Sequence, residues 1–253
     1  MPSTYSSIWF ELFLEPIQPV RTAAEVAFVA RHLPLPTYQS VLDLCCGWGR
    51  HAGLLAERGY QVTAVDRDPQ AIAEAQRRTA GRGITCLVRD MRSVADLPAP
   101  YSAVICLWQS FGYFDEATNA EVLRRISQTL PPRGRVILDL YHRAFFETHQ
   151  GIRIIERNSL TITERKSMRG DRLTVSLDYG PGHGADIFEW QLYTPDSLRT
   201  LANRCGFACL MACSRFDDRM PATANDSRTQ IVLEKTEDQM VNNANGRNTC
   251  PGS

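Results

Sequence analysis

Residues 41–66 read VLDLCCGWGRHAGLLAERGYQVTAVD, and the fold is decided there. With Ser40 in front, SVLDL is a short apolar run of the buried-strand type that carries one acid, Asp43. Gly47 and Gly49 follow, residues 49–58 take helical spacing that Gly59 closes, and QVTAVD is a second strand ending on Asp66. A strand feeding a glycine turn and then a helix gathers free backbone N–H groups at the helix start, which suits a carboxylate or a phosphate. Gly47, Gly49 and Ala52 satisfy the dinucleotide spacing G-x-G-x-x-A, with Asp66 nineteen positions after Gly47, so an NAD-dependent oxidoreductase is one reading. Two features oppose it. The glycine turn starts several residues after Asp43 instead of directly at the strand end, and an acid beside an anion site repels a pyrophosphate. That acid suits a ligand that also carries a cation.

Outward from this stretch, strand and helix periods alternate. Thr22 with Glu25 has the form of a capping box ahead of EVAFVARHL, which Pro34 and Pro36 end. Asp68 and Pro69 open a helix through about Thr79; ITCLVRD and YSAVICLW read as strands three and four. Thr118 with Glu121 boxes a helix through Leu130, and PPRG turns into a fifth strand, RVILDLY. This alternation predicts an α/β fold with a doubly wound, mostly parallel sheet. After Tyr141 the rhythm changes: SLTITERKS, DRLTVSLDYG and ADIFEWQLY read as three antiparallel strands, with Leu173, Val175, Leu177 and Tyr179 on one face. Thr194 and Pro195 open a last helix before Gly206, and FACLMACSRF and RTQIVLEK are the closing strands. The expected organisation is a helical lid over 1–36, a cofactor-binding core over 37–150, an antiparallel insertion over 151–193, the end of the core over 194–236 and a flexible tail over 237–253.

Composition narrows the function. Lys plus Arg equals Asp plus Glu at 28 each, leaving no basic excess for a phosphate backbone, so nucleic acid is not expected as a partner. No apolar stretch approaches the ~20 residues that span a bilayer, and MPSTYSSIWFELF lacks the form of a signal peptide, so no membrane partner and a cytoplasmic location are expected. The eight cysteines read as free thiols, mostly in strands. Cys205, Cys209 and Cys213 are spaced by four, but Gly206 interrupts the helix and no histidine is near, so no metal site is expected.

VLDLCCGWGRH, TAVDRDP, VRDMRS, CLWQSFGYF and LPPRGRVILDL resemble, in that order, the motifs of the class I S-adenosylmethionine-dependent methyltransferases, over about residues 20–141 plus the closing strands. The resemblance implies a Rossmann-like sheet of seven strands with an antiparallel β insertion after the fifth, S-adenosyl-L-methionine as cofactor, and methyl transfer to nitrogen or oxygen of a small organic molecule. It also implies a cofactor site. Backbone N–H groups at Gly47 and Gly49, with Arg21, would take the methionyl carboxylate, and Asp43 would stand near the ammonium. Asp66 would accept from the ribose hydroxyls and Asp90 from the adenine amino group, with Met91 on the ring. Cys45, Arg67 and Trp108 complete the expected set. His51 stands where many members have a third glycine, and Trp48 replaces a smaller residue.

Methyl transfer relies on alignment and exclusion of water, so a base is optional; His142 and Tyr141, just beyond the fifth strand, are the candidates. Tyr5 and Trp9 are candidate acceptor contacts, in a segment that either seals the core or forms a lid. WQSFGY differs from the Asn-Pro-Pro-Tyr of base-amine methylases, which again disfavours nucleic acid. The insertion either roofs the acceptor pocket or builds a homodimer interface. Besides the oxidoreductase, a non-catalytic partner protein of the same fold is the remaining alternative.

Overall fold

The alternation read over residues 40–141 takes shape as strands β1 (Ser40–Leu44), β2 (Gln61–Asp66), β3 (Thr85–Val88), β4 (Ala103–Cys106) and β5 (Arg135–Tyr141), paired in parallel. The computed structural model describes residues 5–98 and 100–237; residues 238–253, and with them nearly all of the expected tail, lie outside the described residues. Helices α1 (Ser7–Trp9), continued by a π-helical turn over Phe10–Leu14, and α2 (Pro19–His32) precede β1. Between the strands run α3 (Arg50–Glu57), α4 (Pro69–Arg78), a 3-10 turn over Met91–Asp96 and α5 (Glu116–Thr129). After β5 come α6 (Arg143–Thr148), β6 (Gly151–Arg157), β7 (Leu160–Arg169), β8 (Arg172–Asp178), β9 (Ala185–Gln191), α7 (Pro195–Arg204), β10 (Phe207–Ser214), β11 (Asp217–Pro221) and β12 (Arg228–Lys235).

The large sheet has the order β11-β10-β12-β5-β4-β1-β2-β3. Successive residues of a strand point to opposite faces, so Leu42, Leu44, Val65, Val104 and Leu138 fill one core layer while Val41, Ala64, Ile105 and Ile137 fill the other. Strand order reverses between β1 and β4, which opens a crevice at their carboxyl ends. The expected strands are all present, and an eighth, β11, hydrogen-bonds to β10 at the edge. DDRMP, polar and ending in proline, gives no strand signal.

The insertion is a sheet of four antiparallel strands, β6-β7-β8-β9, where three were expected; GIRIIER supplies the extra one by pairing with β7 from Gly151↔Lys166 to Arg157↔Leu160. Its buried face holds Leu173, Val175, Leu177 and Tyr179, as the alternation predicts, and Leu12 of the N-terminal segment packs into the same cluster. Asp68 and Thr194 cap their helices as expected. Two other starts move upstream to stronger signals: α2 begins at Pro19 and α5 is capped by Asp115, whose carboxylate accepts from Thr118 N at 2.8 Å. Thr22 and Glu25 are therefore interior helix residues facing inward, 6% and 1% exposed, and not a capping box.

Among the described residues the seven cysteines are free and no cluster of metal-ligating side chains occurs. No helix is long and apolar enough to cross a membrane.

Candidate active site

The loop between β1 and α3 is held in a tight backbone form: Cys45, Gly47 and Gly49 all have left-handed φ, at 62°, 54° and 71°. Gly47 N donates to Asp66 Oδ2 at 3.0 Å and Asp68 N to Asp66 Oδ1 at 3.0 Å, so the two strand ends are tied and the Asp66 carboxylate is fixed in place. A cleft with about 1050 Å³ of empty space opens over this loop. Asp43, Cys45 and Gly47 line it from β1 and the loop, Asp66 and Arg67 from the end of β2, Asp90 and Met91 from the end of β3, and Trp108 from the end of β4. Asp90 also caps the following turn, accepting from Arg92 N at 2.8 Å, and is gripped by the Arg92 guanidinium at 2.9 Å on each oxygen, which lowers its pKa.

The floor carries two unmatched polar atoms. Asp43 is 2% exposed and its Oδ2 has no hydrogen-bond partner; burial pushes its carboxyl up to about 7, with the Arg50 charge opposing and the Asp66 charge adding. Arg50 donates through Nη1 to Thr22 Oγ1 at 2.8 Å and to Glu25 Oε2 at 2.5 Å, while its buried Nη2 is unpaired. Buried polar groups are nearly always satisfied. Two residues lining one cavity thus carry an orphan carboxylate oxygen and an orphan guanidinium nitrogen, the complement of an amino-acid head, ammonium and carboxylate together. The same Asp43 would repel a pyrophosphate, which disfavours the dinucleotide reading.

Behind the floor lies Glu25. Its Oε2 accepts from Arg50 and from His51 Nε2 at 2.9 Å, and its Oε1 from Trp108 Nε1 at 2.9 Å and Arg21 Nε at 3.3 Å. Burial pushes the Glu25 carboxyl up, but His51 and Arg50 outweigh it and hold it at about 2. Burial, helped by the Arg50 charge, lowers His51 to about 4, so the imidazole is neutral near pH 7 and donates to Glu25. Trp108 and Gln109 are consecutive left-handed residues, at φ 62° and 60°. Asp139, fully buried, holds them: its Oδ2 accepts from Trp108 N at 3.0 Å and its carbonyl from Gln109 N at 2.9 Å. Arg228 and Gln230 in turn fix that carboxylate, at 2.5 and 2.8 Å. The Trp108 ring faces the guanidinium groups of Arg50 at 4.4 Å, Arg21 at 4.6 Å and Arg228 at 5.5 Å.

A second cleft, with about 1780 Å³ of empty space, lies between the end of β5, the insertion sheet and the N-terminal segment. Tyr5, Trp9 and Trp108 line both clefts and mark where they meet. Tyr5 is fastened there by its hydroxyl, 2.6 Å from that of Tyr113, and by stacking on Phe188 at 4.4 Å. The N-terminal segment is also pinned to the glycine loop, where Phe10 stacks on Trp48 at 5.1 Å.

Three of the expected site residues stand elsewhere. Arg21 lines the second cleft and not the first; the guanidinium lining the first cleft is that of Arg50, the first residue of α3. Gly49 lies outside the first cleft, and its Cα packs α3 on α4, where a Cβ would come 3.2 Å from Ala75 Cβ. His142 lines neither cleft: it is 4% exposed at the start of α6, and burial lowers its pKa. Tyr141 does line the second cleft, beside Arg228 at 5.1 Å. Glu25, Arg50 and Tyr113 were missed; Arg50 alone had a signal, its place in the first turn after the glycine loop.

Residues 41–134 match the family model described as a methyltransferase domain. The chain is 24% identical over 205 residues to the putative methyltransferase YqeM of Bacillus subtilis, an alignment covering 76% of this chain and 83% of that protein. It is 33% identical over 135 residues to the glycine/sarcosine N-methyltransferase of Parasynechococcus marenigrum, covering 52% of this chain and 47% of the relative, so it spans about half of that protein's length. The solved structure of the CcbJ methyltransferase from Streptomyces caelestis superposes with a TM-score of 0.78 at 17% identity, over 94% of this chain and 100% of the other. The fold is that of the class I methyltransferases. With the domain matched over residues 41–134, this supports an S-adenosylmethionine-dependent methyltransferase against the oxidoreductase alternative.

Proposed function

We propose that the first cleft holds S-adenosyl-L-methionine and the second a small organic acceptor that is methylated on nitrogen or oxygen. The observation that carries this is the pair of orphan atoms, Asp43 Oδ2 and Arg50 Nη2, in a cavity that meets a second cavity at Tyr5, Trp9 and Trp108. Asp43 holds the ammonium, and Arg50 with the Gly47 turn holds the carboxylate. Asp66 accepts from the ribose hydroxyls with the lone pairs its two backbone donors leave free, Asp90 and Met91 flank the adenine, and Cys45 and Arg67 line the walls. Bound there, the cofactor supplies an electrophilic methyl group on a sulfonium. The chain aligns the acceptor with it and keeps water out. The faces of Tyr5 and Trp9 tolerate the sulfonium charge.

Burial raises the pKa of Tyr141, so it stays protonated and positions the acceptor as a donor. With His142 outside both clefts, an acceptor amine reaching the site in its neutral form needs no protein base. The glycine/sarcosine N-methyltransferase, by its name, methylates a nitrogen of a small molecule, which supports this class. Residues 1–36 act as the lid, 37–150 with 194–236 as the core, and 151–193 as the roof over the acceptor. The zero net charge and the free cysteines support a cytoplasmic enzyme with no nucleic-acid partner. A homodimer through the outer face of the insertion, where Ile152 and Ile187 are exposed, is checked by light scattering.

The test is calorimetry with S-adenosylhomocysteine, followed by a metabolite-extract screen for transfer of a labelled methyl group. Absence of S-adenosylhomocysteine binding overturns the reading of the first cleft; transfer only to nucleic acid overturns that of the second.

A further inference from the structure

Resting on that reading of the second cleft, we infer that the acceptor is a flat, largely apolar molecule bearing an oxyanion, which Arg153, Arg157 and Lys166 hold at the roof while the nucleophile faces Trp108. The chain as a whole is neutral, but this cleft is not: Arg21, Arg153, Arg157, Lys166 and Arg228 line it, against Glu164 alone. The carboxylates around it are already shared. Arg228 takes Asp139; Arg21 divides Glu25 with Arg50; Arg153 and Lys166 divide Glu164, at 2.5 and 2.7 Å. Arg157 has no carboxylate partner among the described residues; it donates to the Leu12 carbonyl at 2.7 Å and lies over the Phe13 ring at 5.0 Å. With Arg50 included, five cations share three carboxylates and Arg157 adds a sixth positive charge around a concave, aromatic-walled space, where field lines concentrate and an anion is drawn in.

The register explains why these charges converge. Arg153 and Arg157 sit on one face of β6, Arg153 pairs across to Glu164, and Lys166 follows Glu164 on the same face of β7. That face is the one turned to the cleft. Arginine forks match carboxylate and phosphate oxygens in bidentate fashion, and between them Trp9, Phe188 and Trp190 offer ring surface for a flat body.

The test titrates the protein, saturated with S-adenosylhomocysteine, with benzoate, phenyl phosphate and benzyl alcohol, followed by tryptophan fluorescence. The expected result is that one or both anions bind about tenfold or more tighter than the alcohol, and that Arg157→Gln and Arg153→Gln each remove about fivefold or more of that preference. Arg77→Gln, on the far exposed surface of α4, leaves it intact. Preference between the two anions assigns the group as carboxylate or phosphate, and either supports the inference. Equal binding of alcohol and anions, or an anion preference untouched in both cleft variants, overturns it. S-adenosylhomocysteine affinity is measured separately on the same preparations before saturation; its absence in the unaltered protein would refute the first cleft's reading separately from this one.

Discussion

Asp43→Asn separates an electrostatic site from a merely polar one. In the folded chain without ligand, burial raises the Asp43 carboxyl from 3.8 to about 7. A folded pKa above the unfolded one means that the folded state binds the extra proton: the contribution of Asp43 to stability is full below about pH 4, declines as pH rises to about 7, and stays low above it. At about 1.4 kcal/mol per tenfold change in the proton equilibrium, holding the carboxylate ionised costs on the order of 4 kcal/mol above pH 7. The neutral amide of the variant carries no such cost. The variant's melting temperature should exceed that of the unaltered chain at pH 8 by several degrees, at about 2–4 °C per kcal/mol for a chain of this size, and the gap should close towards pH 5. S-adenosylhomocysteine inverts the order, because its ammonium pairs with the ionised Asp43: its affinity for the unaltered chain should fall by up to about tenfold for each pH unit below 7, where binding must expel a proton, and the Asp43→Asn variant should lose most of that dependence. Burial also raises the pKa of Asp66, so the difference between the two proteins, not the profile of either, isolates Asp43. Scanning calorimetry and titration calorimetry at pH 5, 6, 7 and 8 make the measurement. A melting difference independent of pH, or equal homocysteine affinity profiles, would refute the reasoning.

Arg50→Gln should weaken S-adenosylhomocysteine binding by about 1.5–3 kcal/mol, the worth of a hydrogen bond to a charged group, whereas Arg21→Gln should change it by less than about 0.5 kcal/mol; calorimetry showing the reverse would return the carboxylate to Arg21. Trp48→Ala removes the stack on Phe10, worth about 0.5–1.5 kcal/mol, and should speed homocysteine release in stopped flow by up to about tenfold if the N-terminal segment is the lid. Gly49→Ala should destabilise the fold by roughly 1–2 kcal/mol in urea unfolding, from its left-handed φ and the crowding on Ala75; no shift of the midpoint would disprove the packing role. His142→Asn should leave kcat within about twofold, and a loss of about a hundredfold or more, the scale of removing a general base, would place His142 in the reaction after all.

The core sheet was legible because its information is local. SVLDL, QVTAVD and RVILDLY are short, mainly apolar runs, and Asp66 closes the second of them where a strand end must put it. What was illegible depends on partners far along the chain. GIRIIER breaks its alternation at Ile154 and Ile155 and carries charges of both signs, and only pairing with β7 makes it a strand. DDRMP is held as β11 by two residue pairs with β10. Within the site, Asp43 and Asp66 follow from strand geometry, but Glu25 and Thr22 matched a capping box in sequence because the same side chains that cap a helix also bind a guanidinium. Nothing local says that Pro19 starts that helix first. Arg21 and Arg50 both lie close to Glu25, and which guanidinium lines the first cleft is decided by how α2 packs on α3, which the sequence does not show.

Glu25 ties the two clefts together, and its charge matters more than its hydrogen bonds. Arg50 lines the first cleft, Trp108 lines both, Arg21 lines the second, and all three bond to this one carboxylate. Glutamine would accept two of those bonds but would leave two guanidinium groups against the Trp108 ring with no countercharge; removing one partner of a buried ion pair costs about 3–5 kcal/mol. Because Glu25 is held at about 2 and His51 at about 4, neither changes charge between pH 5 and 8. The geometry of Arg50 and Trp108 therefore stays constant over the range in which Asp43 titrates. On the proposed reading, recognition of an ammonium through a carboxylate poised near neutrality needs the neighbouring guanidinium anchored by a group that does not respond to the same protons, and Glu25, 1% exposed, meets that requirement.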